Sequence, residues 1–98
     1  MNIQAMMKQA QKLQKDMMSA KEKIDSMEFV GESSLVKVTV KGTKEVVKVE
    51  IDKSNSLDAD DLEMLEDMIL VAVNEANKKV DDITDKEMVK FGNIPGLF

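Results

Sequence analysis

Cysteine, histidine, tryptophan, tyrosine and arginine are all missing from this 98-residue chain. Each absence removes a class of chemistry. Without cysteine there is no disulfide scaffold and no thiolate nucleophile, and a reducing compartment is the expected setting. Without histidine and cysteine, zinc, haem and iron–sulfur centres lose their usual ligands, and the commonest general base is gone. Without arginine no guanidinium fork can grip a phosphate from two sides. The chain also has one proline, four isolated glycines and three phenylalanines as its whole aromatic content. Isolated glycines make no phosphate-cradling loop, and three phenylalanines line no stacking groove for single strands. No stretch of about 18 apolar residues suggests a membrane span, and the opening residues show no apolar core of a signal peptide. The remaining reactive types are Asp, Glu, Lys, Ser and Thr. No paired carboxylates sit in an apolar setting that would tune them, so catalysis is not expected.

Fourteen lysines against nineteen acids leave a formal charge of −5, but the imbalance is local. Residues 1–27 carry five lysines and three acids, a balance of +2, and residues 28–53 carry five of each. Residues 54–87 carry three lysines and eleven acids, a balance of −8. Before Asp16 there is no acid at all.

The pattern predicts an α+β chain, α-β-β-β-α, folded as one domain over residues 1–98. Ile3, Met6, Ala10, Leu13, Met17, Ala20, Ile24 and Met27 alternate spacings of three and four. That is a coiled-coil seam, and it predicts a helix over 2–26, about 37 Å long, that needs a partner. From Phe29 the apolar period becomes two. Val36, Val38 and Val40, then Val47, Val49 and Ile51, predict a hairpin with Gly42-Thr43 as a two-residue loop. That loop would set Val38 opposite Val47 and Val36 opposite Val49. Phe29–Glu32 adds a short third strand. Ser56 or Asp58 is placed to cap a second helix, whose stripe runs Leu62, Leu65, Ile69, Ala72, Ala76, Val80 and Ile83, with Met68 and Val73 widening it. That helix is expected to run on to Met88 or Phe91, where Gly92-Asn93-Ile94-Pro95-Gly96 stops it.

Two basic surfaces stand out. Lys8, Lys12 and Lys15 lie on the helix face opposite the seam, where a row of positive charge suits a duplex backbone; a solvated helix face is the ordinary alternative. Lys37, Lys41, Lys44 and Lys48 project with Thr39 from the polar side of the hairpin, with Glu50 the only acid expected among them. The two-residue loop would oppose Lys37 to Lys48 and Lys41 to Lys44, a like-charge strain that an anion would relieve; lysines that protect a sheet edge are the alternative. The acids after the hairpin also fit a calcium loop at Asp52, Ser54, Ser56, Asp58, Asp60 and Glu63. Leu57 stands where that loop needs glycine, so an N-cap with first-turn carboxylates is the better reading. The methionines, Met6, Met7, Met17, Met18, Met27, Met64, Met68 and Met88, are read as core filling rather than as an adaptable surface.

The order of these pieces resembles the YbaB/EbfC family of nucleoid-associated proteins. The opening Met6-Met7-Lys8-Gln9-Ala10-Gln11-Lys12-Leu13-Gln14 is similar to the family's first helix, and Leu35–Gly42 followed by Val49-Glu50-Ile51-Asp52 to its hairpin. Leu65–Leu70 with Ala72, Asn74, Glu75, Ala76, Lys78 and Lys79 resembles its most distinctive stretch, and Ile94-Pro95-Gly96-Leu97-Phe98 its tail. The resemblance covers essentially the whole chain. It implies a tweezer-like homodimer with central sheets and projecting helices that binds duplex DNA, with little sequence preference, in the bacterial cytoplasm and nucleoid. It implies no catalytic residue, no cofactor, no small-molecule substrate and no membrane partner. The chain departs from the family at Gly31-Glu32-Ser33-Ser34, where a more glycine-rich turn is usual, and in lacking arginine. DNA contact through Lys8, Lys12, Lys15, Lys37, Lys41, Lys44 and Lys48 is therefore the leading expectation. The alternative is a coiled-coil interaction dimer of the replication or recombination machinery, using the acidic segment against a basic partner.

Overall fold

Helix α1 spans Ile3–Ser26 and is made almost wholly of good helix formers, with no glycine or proline to interrupt it. Asn2 caps it: its side-chain oxygen accepts from the Ala5 backbone N–H at 3.2 Å. At the other end Met27 is extended, at φ −73° and ψ 154°, and the chain passes directly into the sheet. The computed structural model describes residues 2–54 and 56–92. The apolar tail Ile94–Phe98 lies outside the described residues.

Strands β1 (Glu28–Ser33), β2 (Val36–Lys41) and β3 (Val46–Ile51) form an antiparallel sheet in the order β1-β2-β3. β1 is the third strand expected from Phe29–Glu32, one residue longer at each end. The hairpin register differs from the expected one. The loop has three residues, Gly42-Thr43-Lys44. The Lys44 N–H donates to the Lys41 carbonyl at 2.8 Å, the Lys41 N–H donates to Glu45 at 2.9 Å, and Lys44 takes a left-handed φ of 72°. A bulge follows, so Val40 pairs with Val46, Val38 with Val49 and Val36 with Ile51. The shift is two residues, which keeps the apolar faces together but changes every cross-strand partner.

Helix α2, Leu62–Met88, packs over β1 and β2 and leaves β3 uncovered. Its entry is a 3-10 turn capped by Asp58. The Asp58 carboxylate accepts from the Asp60 N–H at 2.9 Å, and Asp61 accepts in return from the Asp58 N–H at 3.0 Å. The helix gives way to a 3-10 turn over Val89–Phe91, and Gly92 ends it at φ 84°. The core joins Phe29, Val36, Val38 and Val40 of the sheet to Ala72, Ala76 and Val80 of α2. Each fully buried valine contributes about 1.5–3 kcal/mol. Leu65, Met68, Ile69, Val73 and Ile83 border this core, as the stripe predicts.

The two helices meet only in part and run antiparallel. Ile24 lines one hollow with Val80 and Thr84, while Ser19, Ala20 and Lys23 line another with Glu87, Lys90 and Phe91. The seam of α1 is therefore covered at Met17 and Ile24 and open before them: Ile3 is 70 % exposed and Leu13 44 %. The molecule is correspondingly drawn out, 71 × 19 × 14 Å. The reading of the methionines as core filler needs correction. Met17 and Met88 are buried, but Met6, Met7, Met18, Met27 and Met64 are exposed: Met6 lies on a seam that outruns the surface available to cover it, and Met7, Met18 and Met64 lie off the apolar stripes.

The turn between β1 and β2 places Ser34 at a left-handed φ of 49°, where glycine is unstrained. Replacing Ser34 by Gly should relieve about 1–2 kcal/mol of strain and return about 0.5–1 kcal/mol as unfolded-state entropy. A net gain below about 1 kcal/mol is expected, read as a small rise in the urea midpoint with an unchanged m-value.

Candidate nucleic-acid interface

The lysine row of α1 follows from helix geometry alone. At four and three residues apart, Lys8, Lys12 and Lys15 share one face and span about 10 Å along the axis. All three are exposed, and none makes an ion pair among the described residues. The next charged neighbours along the helix are Asp16 and the Lys21–Asp25 pair at 3.0 Å, both toward the sheet. The arm is thus a surface of unneutralised positive charge on an otherwise acidic chain.

The hairpin lysines are placed quite differently, and the expected basic surface with Glu50 as its one acid is not what the sheet presents. Lys37 stands opposite Glu50 on one side and Glu32 on the other, not opposite Lys48. Lys41 stands opposite Glu28 across β1. Lys48 pairs with Glu50 at 3.0 Å and lies opposite Thr39, which projects from the same face but is covered by its neighbours. Lys44 leaves the sheet face altogether and pairs with Asp81 of α2 at 2.8 Å. Its opposition to Lys41 is lost because both belong to the turn, whose hydrogen bond runs from one to the other. The bulge turns Val47 outward to line a hollow with Val30, Thr39 and Lys37. The outer face of the sheet is therefore a checkerboard in which Glu28, Glu32 and Glu50 offset Lys37, Lys41 and Lys48. Glu28 and Glu32 were legible as neighbours once Phe29–Glu32 was read as a strand, because antiparallel pairing puts alternate residues of both strands on one face.

Electrostatic perturbation is confined to exposed carboxylates. A hydrogen bond from Lys48 holds Glu50 below its ordinary value, with the charges of Lys48 and Lys37 adding to it. The Ser54 hydroxyl and N–H do the same for Asp52, and Lys90 for Glu87. Such groups favour the folded state above the ordinary carboxylate range, and that contribution disappears as pH falls through their lowered values. All three remain charged near neutrality, so none is poised to exchange a proton. Of the calcium-loop residues, Asp58 is committed to its cap and Asp52 accepts the Ser54 N–H at 2.9 Å. Among the described residues no three acidic side chains gather as a metal site, and no helix is long and apolar enough to cross a membrane.

Comparison with known proteins agrees with this architecture. A solved structure, that of an uncharacterized protein from Helicobacter pylori, superposes with a TM-score of 0.70 over 94 % of this chain and 96 % of that one, at 21 % identity. In sequence the chain is 47 % identical to a nucleoid-associated protein of Pelotomaculum thermopropionicum, covering 99 % of this chain and 96 % of the relative. It is 42 % identical to a nucleoid-associated protein of Ligilactobacillus salivarius, covering 99 % and 95 %. The profile of the YbaB/EbfC DNA-binding family matches residues 1–93, and the chain belongs to that family.

Proposed function

We propose that this protein is a non-enzymatic, homodimeric nucleoid-associated protein, a single family domain that binds duplex DNA through phosphates with little regard to sequence. The observation that carries the reading is the row Lys8, Lys12 and Lys15, exposed and unpaired on a projecting helix while the hairpin lysines face acids. Phosphate contact needs point charge in a row, which lysine supplies, and no base-reading side chains. Lys37, Lys41, Lys44 and Lys48 act as secondary contacts that must exchange a carboxylate neighbour for a phosphate. Relatives named as nucleoid-associated proteins support a place in the bacterial cytoplasm on the nucleoid.

Dimerisation is supported by β3. Val46, Val47 and Val49 on this strand are between 41 % and 47 % exposed, and one edge of the strand has no neighbour among the described residues. At the opposite edge of the sheet one carbonyl is taken, since the Lys79 ammonium of α2 donates to the Val30 carbonyl at 2.6 Å. An open apolar edge strand invites a second copy. Two copies joined along β3 carry twice −5, or −10, so attraction to DNA rests on the arms and is salt-sensitive. Light scattering should give a mass of two chains, and fluorescence anisotropy on duplex DNA should show affinity falling with salt in proportion to the phosphates engaged. A one-chain mass would remove the dimer, and a flat salt response would remove phosphate contact.

A further inference from the structure

The first half of the α1 seam has no partner among the described residues. Ile3, Met6, Ala10 and Leu13 are all exposed, whereas Met17 and Ile24 of the same seam are buried where α2 lies alongside. Strict alternation of three and four asks for a helix as occupant, because knobs-into-holes packing repeats at that spacing.

The residues beside the seam say which helix. With Ile3 and Met6 taken as the a and d positions of a heptad, the flanking e and g positions are Met7, Gln9, Gln14 and Asp16. Lys8, Lys12 and Lys15 fall at c and f, on the outside. Two copies of α1 can therefore approach seam to seam without placing lysine against lysine, and with every lysine of the row still facing outward. An unrelated partner would need only an apolar stripe. A copy of this helix also fits these flanks, where Asp16 is the one charge and no lysine stands, since rows of like charge at e and g are what exclude like pairing elsewhere.

We propose that the exposed half of α1 pairs with the same segment of a second DNA-bound molecule, so that two duplex-bound dimers are linked through their arms. The inference rests on the DNA-binding reading above. Four seam side chains per copy bury far less than the roughly 1,200 Å² of a stable interface, so free dimers stay apart. Many molecules bound along two duplexes present such contacts side by side, and once one has formed its neighbours are held at an effective concentration on the order of millimolar, which suffices for a weak contact. The lysine row then grips the duplex while the seam, on the other side of the same helix, holds the neighbour. The function added is bridging.

A two-duplex capture assay tests this, with one duplex on beads and a second duplex labelled. Met6→Gln with Leu13→Gln should lower capture of the second duplex at least tenfold while affinity for a short single-site duplex stays within twofold. Ala10→Leu, which enlarges a seam side chain at an exposed site, should raise capture several-fold and guards against a misfolded loss. Three results would overturn the proposal: capture unchanged in both variants, capture absent in the wild type although the first duplex is bound, or a fall from two-chain to one-chain mass in the double variant without DNA. The last would assign the seam to the dimer itself. Loss of short-duplex binding by the wild-type protein is a different failure, that of the DNA reading, and anisotropy reports it separately.

Discussion

Gly31→Ala should destabilise the fold strongly. Gly31 sits in β1 opposite Val38, under the point where α2 crosses. A Cβ there would stand 2.6 Å from the Ala76 nitrogen and closer still to the Ala72 carbonyl oxygen. Both are backbone atoms of a helix, so no side chain can swing aside, and α2 must lift from the sheet. Ala72 and Ala76 are themselves fully buried and small, so helix and strand meet backbone to backbone along Gly31, Ala72 and Ala76. Overpacking of this kind costs about 1–3 kcal/mol, and more where the obstruction is rigid. A domain this size loses about 4–8 °C of Tm per kcal/mol, so a drop on the order of 10–20 °C is expected by circular dichroism. Gly92→Ala is the contrast: its φ of 84° makes alanine strained, but a Cβ there meets nothing within 4 Å. That variant should lose only about 1 kcal/mol. Equal Tm values for the two would contradict the close approach at Gly31.

Reversing the arm charges, Lys8→Glu with Lys12→Glu and Lys15→Glu, should produce the largest functional loss. The row lies on the face away from the seam and makes no ion pair among the described residues, so its removal leaves no buried charge unpaired. Fold and dimer mass should be unchanged. Affinity for duplex DNA should fall on the order of a hundredfold at low salt, equally on all sequences, because phosphate contacts carry no sequence information. The same reversal at Lys37 and Lys41 should do less to binding and more to stability, since it sets glutamate against Glu32, Glu50 and Glu28.

The elements that sequence reading finds are those governed by local rules. The extent of α1 follows from an unbroken seam, the Asp58 cap from residue type, and the end of α2 from Gly92. The hairpin register was not legible, because the left-handed turn position is taken by Lys44, a residue that carries no sign of it. The exposure of Met6 was hidden for a different reason. A seam announces that a helix wants cover, not how far the cover extends. The site divides along the same line. The row on α1 is a matter of spacing within one helix and is visible in sequence. Neutralisation of the sheet lysines depends on pairing across strands, and Lys44–Asp81 joins a turn to a helix 37 residues away in sequence. The approach of Gly31 to Ala72 and Ala76 is likewise a property of packing, with no mark in the sequence beyond small residues in two elements.

The central claim is that the α1 arm, not the sheet, meets the phosphates. Its most direct test is the slope of log affinity against log salt for one duplex, measured for the wild type and for Lys8→Gln with Lys12→Gln and Lys15→Gln. At about 0.9 per phosphate neutralised, loss of three contacts per arm should flatten the slope by about 2.7 for one engaged arm and by twice that for two. An unchanged slope in a variant that remains a folded dimer would contradict the account.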